Sequence, residues 1–263
     1  MPVLGVCGDS FFAATQDLEH RADCKGSGGK HFSELMAKRL NYGYYTLARG
    51  ACSNTAIRLQ IDDMINQKVD FVLVGTTFPS RIEYFIRKKA FEYIKGIYNI
   101  DYSYHPDISS LNKNFQQNLG TASETIGNIL AGVAPVLNED QLETFHRYLI
   151  DLYHEPIKKL QDAWIIANGI SELENAKIPF LILVQGYLYD TLVSKFRTTN
   201  PRILVHMKSD DKLFPWSYST FDEDTQTDTT RRYHVSDKNQ VAICDHLCNY
   251  IQTHNLLIWS DNE

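Results

Sequence analysis

Five short apolar runs, separated by apolar residues at helical spacing, constrain this chain more than any other feature. The first starts at Val3 and stops at Gly8-Asp9-Ser10; the others are Tyr44–Ala48, Val69–Val74, Ile178–Val184 and Ile203–His206. Short β-rich runs closed by glycine or polar residues read as strands, and a largely apolar one such as Val69–Val74 reads as a central strand covered on both faces. Between them, Phe32, Leu35, Met36 and Leu40 predict a helix over about 29–41, and Ile57, Ile61, Met64 and Ile65 predict a second. Phe145, Leu149 and Leu152 make the clearest stripe of the middle region, where Pro156 is expected to break or kink the helix. Val241, Cys244, Leu247, Cys248 and Ile251 stripe a last helix. This alternation predicts a three-layer α/β/α, flavodoxin-like parallel sheet of about five strands with right-handed crossovers. The whole chain, 1–263, reads as a single domain, with about 80–177 as a helical insertion between strands 3 and 4. Segments 101–115 and 208–230 are polar and irregular and read as loops.

Composition excludes several partners. The chain is 43% hydrophobic, enough for a substantial core, and carries 26 basic against 32 acidic residues, a formal charge of −6. That balance argues against nucleic-acid binding, which needs a basic face. No apolar stretch approaches the roughly 20 residues of a membrane span. The start lacks a basic region followed by a long apolar one, so the expected location is cytoplasmic, or the host cytoplasm or virion for a viral protein. Five cysteines without a paired framework fit a reducing compartment. Cys244 and Cys248 with His246 lack a fourth ligand and read as buried thiols, not as a metal site. No metal or organic cofactor is expected. Gly26-Ser27-Gly28-Gly29-Lys30-His31 is the closest approach to a phosphate loop, but it follows no strong strand and reads as a loop entering the first helix.

Ser10 is the strongest candidate for chemistry. In a parallel α/β sheet, ligands sit at the carboxyl ends of the strands, and Ser10 ends the first. A serine nucleophile needs a base, donors for the developing oxyanion, and usually a group that orients the base. His234, just before the last helix in Tyr233-His234-Val235-Ser236-Asp237, is the base candidate. Gly50 lies in a glycine turn feeding a helix start, where backbone N–H groups are free, with Ser53 or Asn54 as alternative caps. Thr77, in Gly75-Thr76-Thr77, offers a hydroxyl after the third strand; it is equally placed to cap the helix before Arg81.

Together these blocks resemble the SGNH (GDSL-type) hydrolase family. Gly8-Asp9-Ser10 resembles the nucleophile block. The turn at Gly50 with Ser53-Asn54 resembles the second block, and Gly75-Thr76-Thr77 falls where the family has Gly-x-Asn-Asp. His234 with Ser236 and Asp237 resembles the final histidine block. Two departures stand out. Thr77 replaces the asparagine of the third block, as in a variant associated with some phage and environmental sequences. Arg231 stands where the family carries an aspartate three residues before the histidine. A guanidinium cannot accept the imidazole N–H, so Asp228 is the substitute candidate; the alternative is a Ser10–His234 dyad.

The resemblance implies a serine esterase working through an acyl-enzyme. Ser10, His234 and Asp228 form its catalytic set, and Gly50, Thr77, Asp9, Asn54, Arg81 and Trp216 its oxyanion and substrate-binding set. Arg81 with Glu83 reads either as a brace beneath the site or as a surface ion pair. The aromatic residues from Tyr84 to Tyr104, and Trp216 ahead of His234, suit either stacking on sugar faces or packing and a subunit interface. The expected partner is therefore a small-molecule or glycan ester, with O-acetyl groups on carbohydrate as the natural case, in a monomer or homo-oligomer. The rival reading is a catalytically inactive binding or structural protein of the same fold, such as a virion component.

Overall fold

The computed structural model describes residues 1–9, 11–13, 31–48, 53–77, 140, 143–144, 147–148, 151–185, 188, 191–192, 201–207 and 237–259. Within them the chain runs β1 (Val3–Cys7), α1 (Phe32–Leu40), β2 (Gly43–Thr46), α2 (Asn54–Asn66), β3 (Phe71–Gly75), α3 (Glu155–Asn175), β4 (Phe180–Gln185), β5 (Ile203–Met207) and α4 (Asp237–Thr253). The five strands are all parallel, in the order β2-β1-β3-β4-β5. This is the flavodoxin-like order expected from the sequence.

Strand alternation explains why the central runs are so apolar. Leu4, Val6, Phe71, Leu73, Leu181 and Leu183 share one core with Phe32 and Met36 of α1 and Ile243, Leu247 and Ile251 of α4. Cys7, Val72, Val74, Phe180, Ile182 and Val184 share the other with Ile57, Ile61 and Met64 of α2 and Ile166, Ile170 and Leu173 of α3. Successive side chains point to opposite faces. Each central strand is thus buried on both sides, and the helices form the two outer layers.

The five predicted strands and the helices predicted at α1, α2 and α4 are present with edges moved by a few residues; Phe145, Leu149 and segments 101–115 and 208–230 lie outside the described residues, and Leu152 of the same expected stripe is exposed. The last helix of the region expected to be an insertion, α3, is the crossover helix between β3 and β4, packed on the sheet beside α2. Pro156 sits in the first turn of α3, where a missing N–H costs nothing, so it opens this helix just beyond the break. Val241 is 48% exposed and does not belong to the buried stripe of α4, whereas Cys244 and Cys248 are buried as expected. Among the described residues no helix is long and apolar enough to cross a membrane.

Arg202 fastens the chain end to the sheet. It is fully buried at the start of β5, donates to the carbonyls of Leu256 (2.8 Å) and Ile258 (3.0 Å), and lies over the rings of Phe180 and Trp259. Removing the guanidinium leaves the Leu256 carbonyl short of a charged donor, but also relieves the cost of burying a cation. Arg202→Met is therefore expected to cost only about 2 kcal/mol. The measurement is urea unfolding, paired with hydrogen exchange that should accelerate first at 254–259.

Candidate active site

The strand order creates a switch point between β1 and β3. From β1 the chain passes through α1, on one face, to β2; it then passes through α2, on the other face, to β3 on the opposite side of β1. Crevices for ligands open at the carboxyl ends of the strands at such points. Here those ends are Cys7-Gly8-Asp9 and Gly75-Thr76-Thr77, two of the four blocks singled out in the sequence.

Asp9 turns the chain. Its carbonyl accepts from the N–H groups of Phe12 (3.1 Å) and Ala13 (3.0 Å), and its Oδ1 accepts from Phe11 N–H (2.9 Å). The Asp9 carboxylate and carbonyl together cap this turn, the side-chain oxygen taking the N–H two residues on. In the sequence Ser10 follows directly on this capping residue. The other carboxylate oxygen, Oδ2, accepts from the Thr77 hydroxyl at 2.8 Å, which ties the end of β1 to the end of β3. Asp9 and Thr77 are both buried.

Two side-chain amides from α2 complete the brace. Asn54 accepts from Thr77 N–H at 3.0 Å through Oδ1, and its Nδ2 donates to the Thr77 carbonyl at 3.1 Å. Gln60 accepts from Gly8 N–H at 2.7 Å and donates back to the Gly8 carbonyl at 3.4 Å. One helix thereby fixes both strand ends. Ser53 caps it by accepting from Ala56 N–H at 3.3 Å, which decides between the two cap candidates.

Phe12 packs the turn against the sheet. Gly8, at φ 154°, takes a backbone conformation that side chains rarely allow, and a Cβ there would meet Phe12 at 2.7 Å. The Phe12 ring lies directly on Gly75 and meets Phe32 edge to face, with centroids 5.5 Å apart.

Three of the expected site residues are engaged with one another in these contacts. The Thr77 hydroxyl, expected to donate to an oxyanion, here donates to Asp9. The fully buried Asn54 likewise directs its amide at the Thr77 backbone, and Asp9 spends its carboxylate on the turn and on Thr77. All three position the strand ends. Ser10, Gly50, Arg81, Trp216, Asp228 and His234 lie outside the described residues.

Two further contacts connect the chain's far end to this turn. Gln240, in the first turn of α4, accepts from Phe32 N–H (2.8 Å) at the start of α1. His31, the N-cap of α1, reaches the Phe11 carbonyl with Nε2 at 2.9 Å. The β1 turn, the start of α1 and the start of α4 are thus linked side by side. In sequence, His234 precedes Gln240 by six residues.

Sequence reading missed Gln60, His31 and Phe12. Gln60 shares the buried face of α2 with Ile57 and Ile61, where a glutamine looks like an interruption of the stripe. For His31 a signal existed: Glu34, three residues on, accepts from His31 N–H at 3.2 Å in a capping box.

No family model and no curated protein matches the chain. Among solved structures, the chain is similar to a mutant of Axe2, an acetyl-xylooligosaccharide esterase from Geobacillus Stearmophilus. The identity is 11%, the coverage 95% of this chain and 94% of that chain, and the TM-score 0.34. A likeness at that level carries no argument about this chain; its fold class rests on its own strand order.

Proposed function

We propose that this chain is a serine esterase that cleaves small esters, with O-acetyl groups on carbohydrate as the substrate class. Ser10 attacks the ester carbonyl while His234 takes its proton, and His234 passes that proton to the alcohol as the alcohol leaves and the acyl-enzyme forms. Water, deprotonated by His234, then releases the acid. Asp228 orients the imidazole on this reading. The oxyanion is held by backbone N–H groups of Ser10 and of the Gly50 turn, since the Thr77 hydroxyl is engaged with Asp9. On this reading Trp216 stacks on the sugar, and Arg81 with Glu83 braces the site from beneath.

The observation that supports this reading best is the link from the Asp9 turn through the start of α1 to Gln240. It brings the helix that follows His234 to the turn that carries Ser10. Six residues span at most about 20 Å, so this reading needs His234 to lie no farther than that from Gln240. A non-catalytic binding role on the same fold draws on a different observation, the withdrawal of the Thr77 and Asn54 side chains into the scaffold.

Hydrolysis of p-nitrophenyl acetate and of acetylated xylo-oligosaccharides separates the two. The esterase reading expects turnover that falls by at least about a thousandfold in both Ser10→Ala and His234→Ala. A folded wild-type protein with no turnover on any short ester, yet with retained glycan binding, favours the second reading.

A further inference from the structure

We propose that His31 is a positioning residue for the nucleophile turn, holding Ser10 in register through the carbonyl of its neighbour Phe11. This rests on the serine-esterase reading and assigns a second histidine to the same site, outside the triad set. The imidazole is buried between the β1 turn and the start of α1. Its Nδ1 faces the Ser33 N–H (3.3 Å) and the Ser33 hydroxyl (2.8 Å), and its Nε2 faces the Phe11 carbonyl (2.9 Å).

The chemistry of the partners fixes the tautomer. A backbone N–H only donates, so Nδ1 accepts; a carbonyl only accepts, so Nε2 carries the proton. The neutral ring is thus a rigid spacer between a helix start and the residue after Ser10. Other contacts hold that spacer in place. The Ser33 hydroxyl pairs with the Tyr44 hydroxyl at 2.8 Å, and burial pushes the Tyr44 phenol up, so it stays protonated. Phe32 N–H is fixed by Gln240, and the His31 and Phe32 rings are 4.4 Å apart. The Asp9 carboxylate fixes the turn from one side of Ser10 and His31 from the other. A nucleophile displaced by about 1 Å can lose two orders of magnitude in rate.

His31→Asn separates the two functions of the ring. Asparagine is a good N-cap, so the α1 cap survives, but its side chain is too short to span from Ser33 N–H to the Phe11 carbonyl. The test is labelling by a fluorophosphonate probe, read as both rate constant and final stoichiometry, alongside thermal melting. The expected result is a folded His31→Asn protein that labels to full stoichiometry at a rate constant at least tenfold below wild type. A purely structural role would lower the stoichiometry and leave the rate constant alone, and that result overturns the proposal. So does labelling at the wild-type rate, and so does a variant that fails to fold. A wild-type protein that never labels at Ser10 refutes the serine-esterase reading itself, and this proposal falls with it.

Discussion

Gly75→Ala is expected to destabilise the protein by about 3 kcal/mol and to abolish ester turnover. A Cβ on residue 75 would stand 1.8 Å from Cε2 of Phe12 and within 2.2 Å of two more ring atoms. The ring has little room to retreat, because Gly8 and Phe32 already lie against it. Overpacking a tight core costs roughly 1–3 kcal/mol, and expelling a buried phenylalanine costs roughly 3–5. The smaller unfolded-state entropy favouring alanine, about 0.4–1 kcal/mol, does not offset this. Since Phe12 belongs to the turn that Asp9 caps, moving the ring moves the residues flanking Ser10. Urea unfolding of Gly75→Ala, Phe12→Ala and the double variant tests the mechanism. The double variant should lose clearly less than the sum of the singles, because removing the ring removes the clash. Simple additivity would mean that the ring and the glycine do not meet.

Asp9→Ala is expected to cost about 2 kcal/mol and to reduce turnover by about a hundredfold. Loss of the cap on Phe11 N–H accounts for about 1 kcal/mol, and loss of the buried acceptor for the Thr77 hydroxyl for about another. On the esterase reading the rate effect follows because one contact holds the backbone after Ser10 and the other ties the residue before it to the end of β3. Asp9→Asn should be much milder: its amide oxygen still serves Phe11 N–H, and its amide nitrogen can donate to the threonine oxygen. A double-mutant cycle of Asp9→Ala with Thr77→Val should give a coupling near 1 kcal/mol. Zero coupling, measured by denaturation, would contradict the bond seen between β1 and β3.

The layers of this fold were legible in the sequence because its strands are buried on both faces. Runs such as Phe71–Val74 and Phe180–Val184 carry no polar residue to blur their ends, and the α1 and α2 stripes have ordinary helical spacing. The role of α3 was harder to read. A crossover helix and an inserted helix have the same amphipathic pattern, and only packing beside α2 distinguishes them.

At the candidate site, the sequence pointed to the ends of β1 and β3 but not to what the side chains do there. Asp9, Asn54 and Thr77 are polar residues at a crevice, a pattern shared by groups that touch substrate and groups that brace the scaffold. The difference lies in partners 23 to 68 positions away, such as Asn54 with Thr77 and Thr77 with Asp9. Gln60 was invisible for the same reason, since its partner is the Gly8 backbone 52 positions earlier.

The account turns on Ser10 being a nucleophile activated at the β1–β3 switch point. The most direct measurement is mass-spectrometric mapping of the adduct formed with a fluorophosphonate. One adduct per chain on the peptide containing Ser10, absent in Ser10→Ala and strongly slowed in His234→Ala, is the predicted result. A folded wild-type protein that stays unmodified, or is modified at another residue while Ser10 remains free, would contradict it.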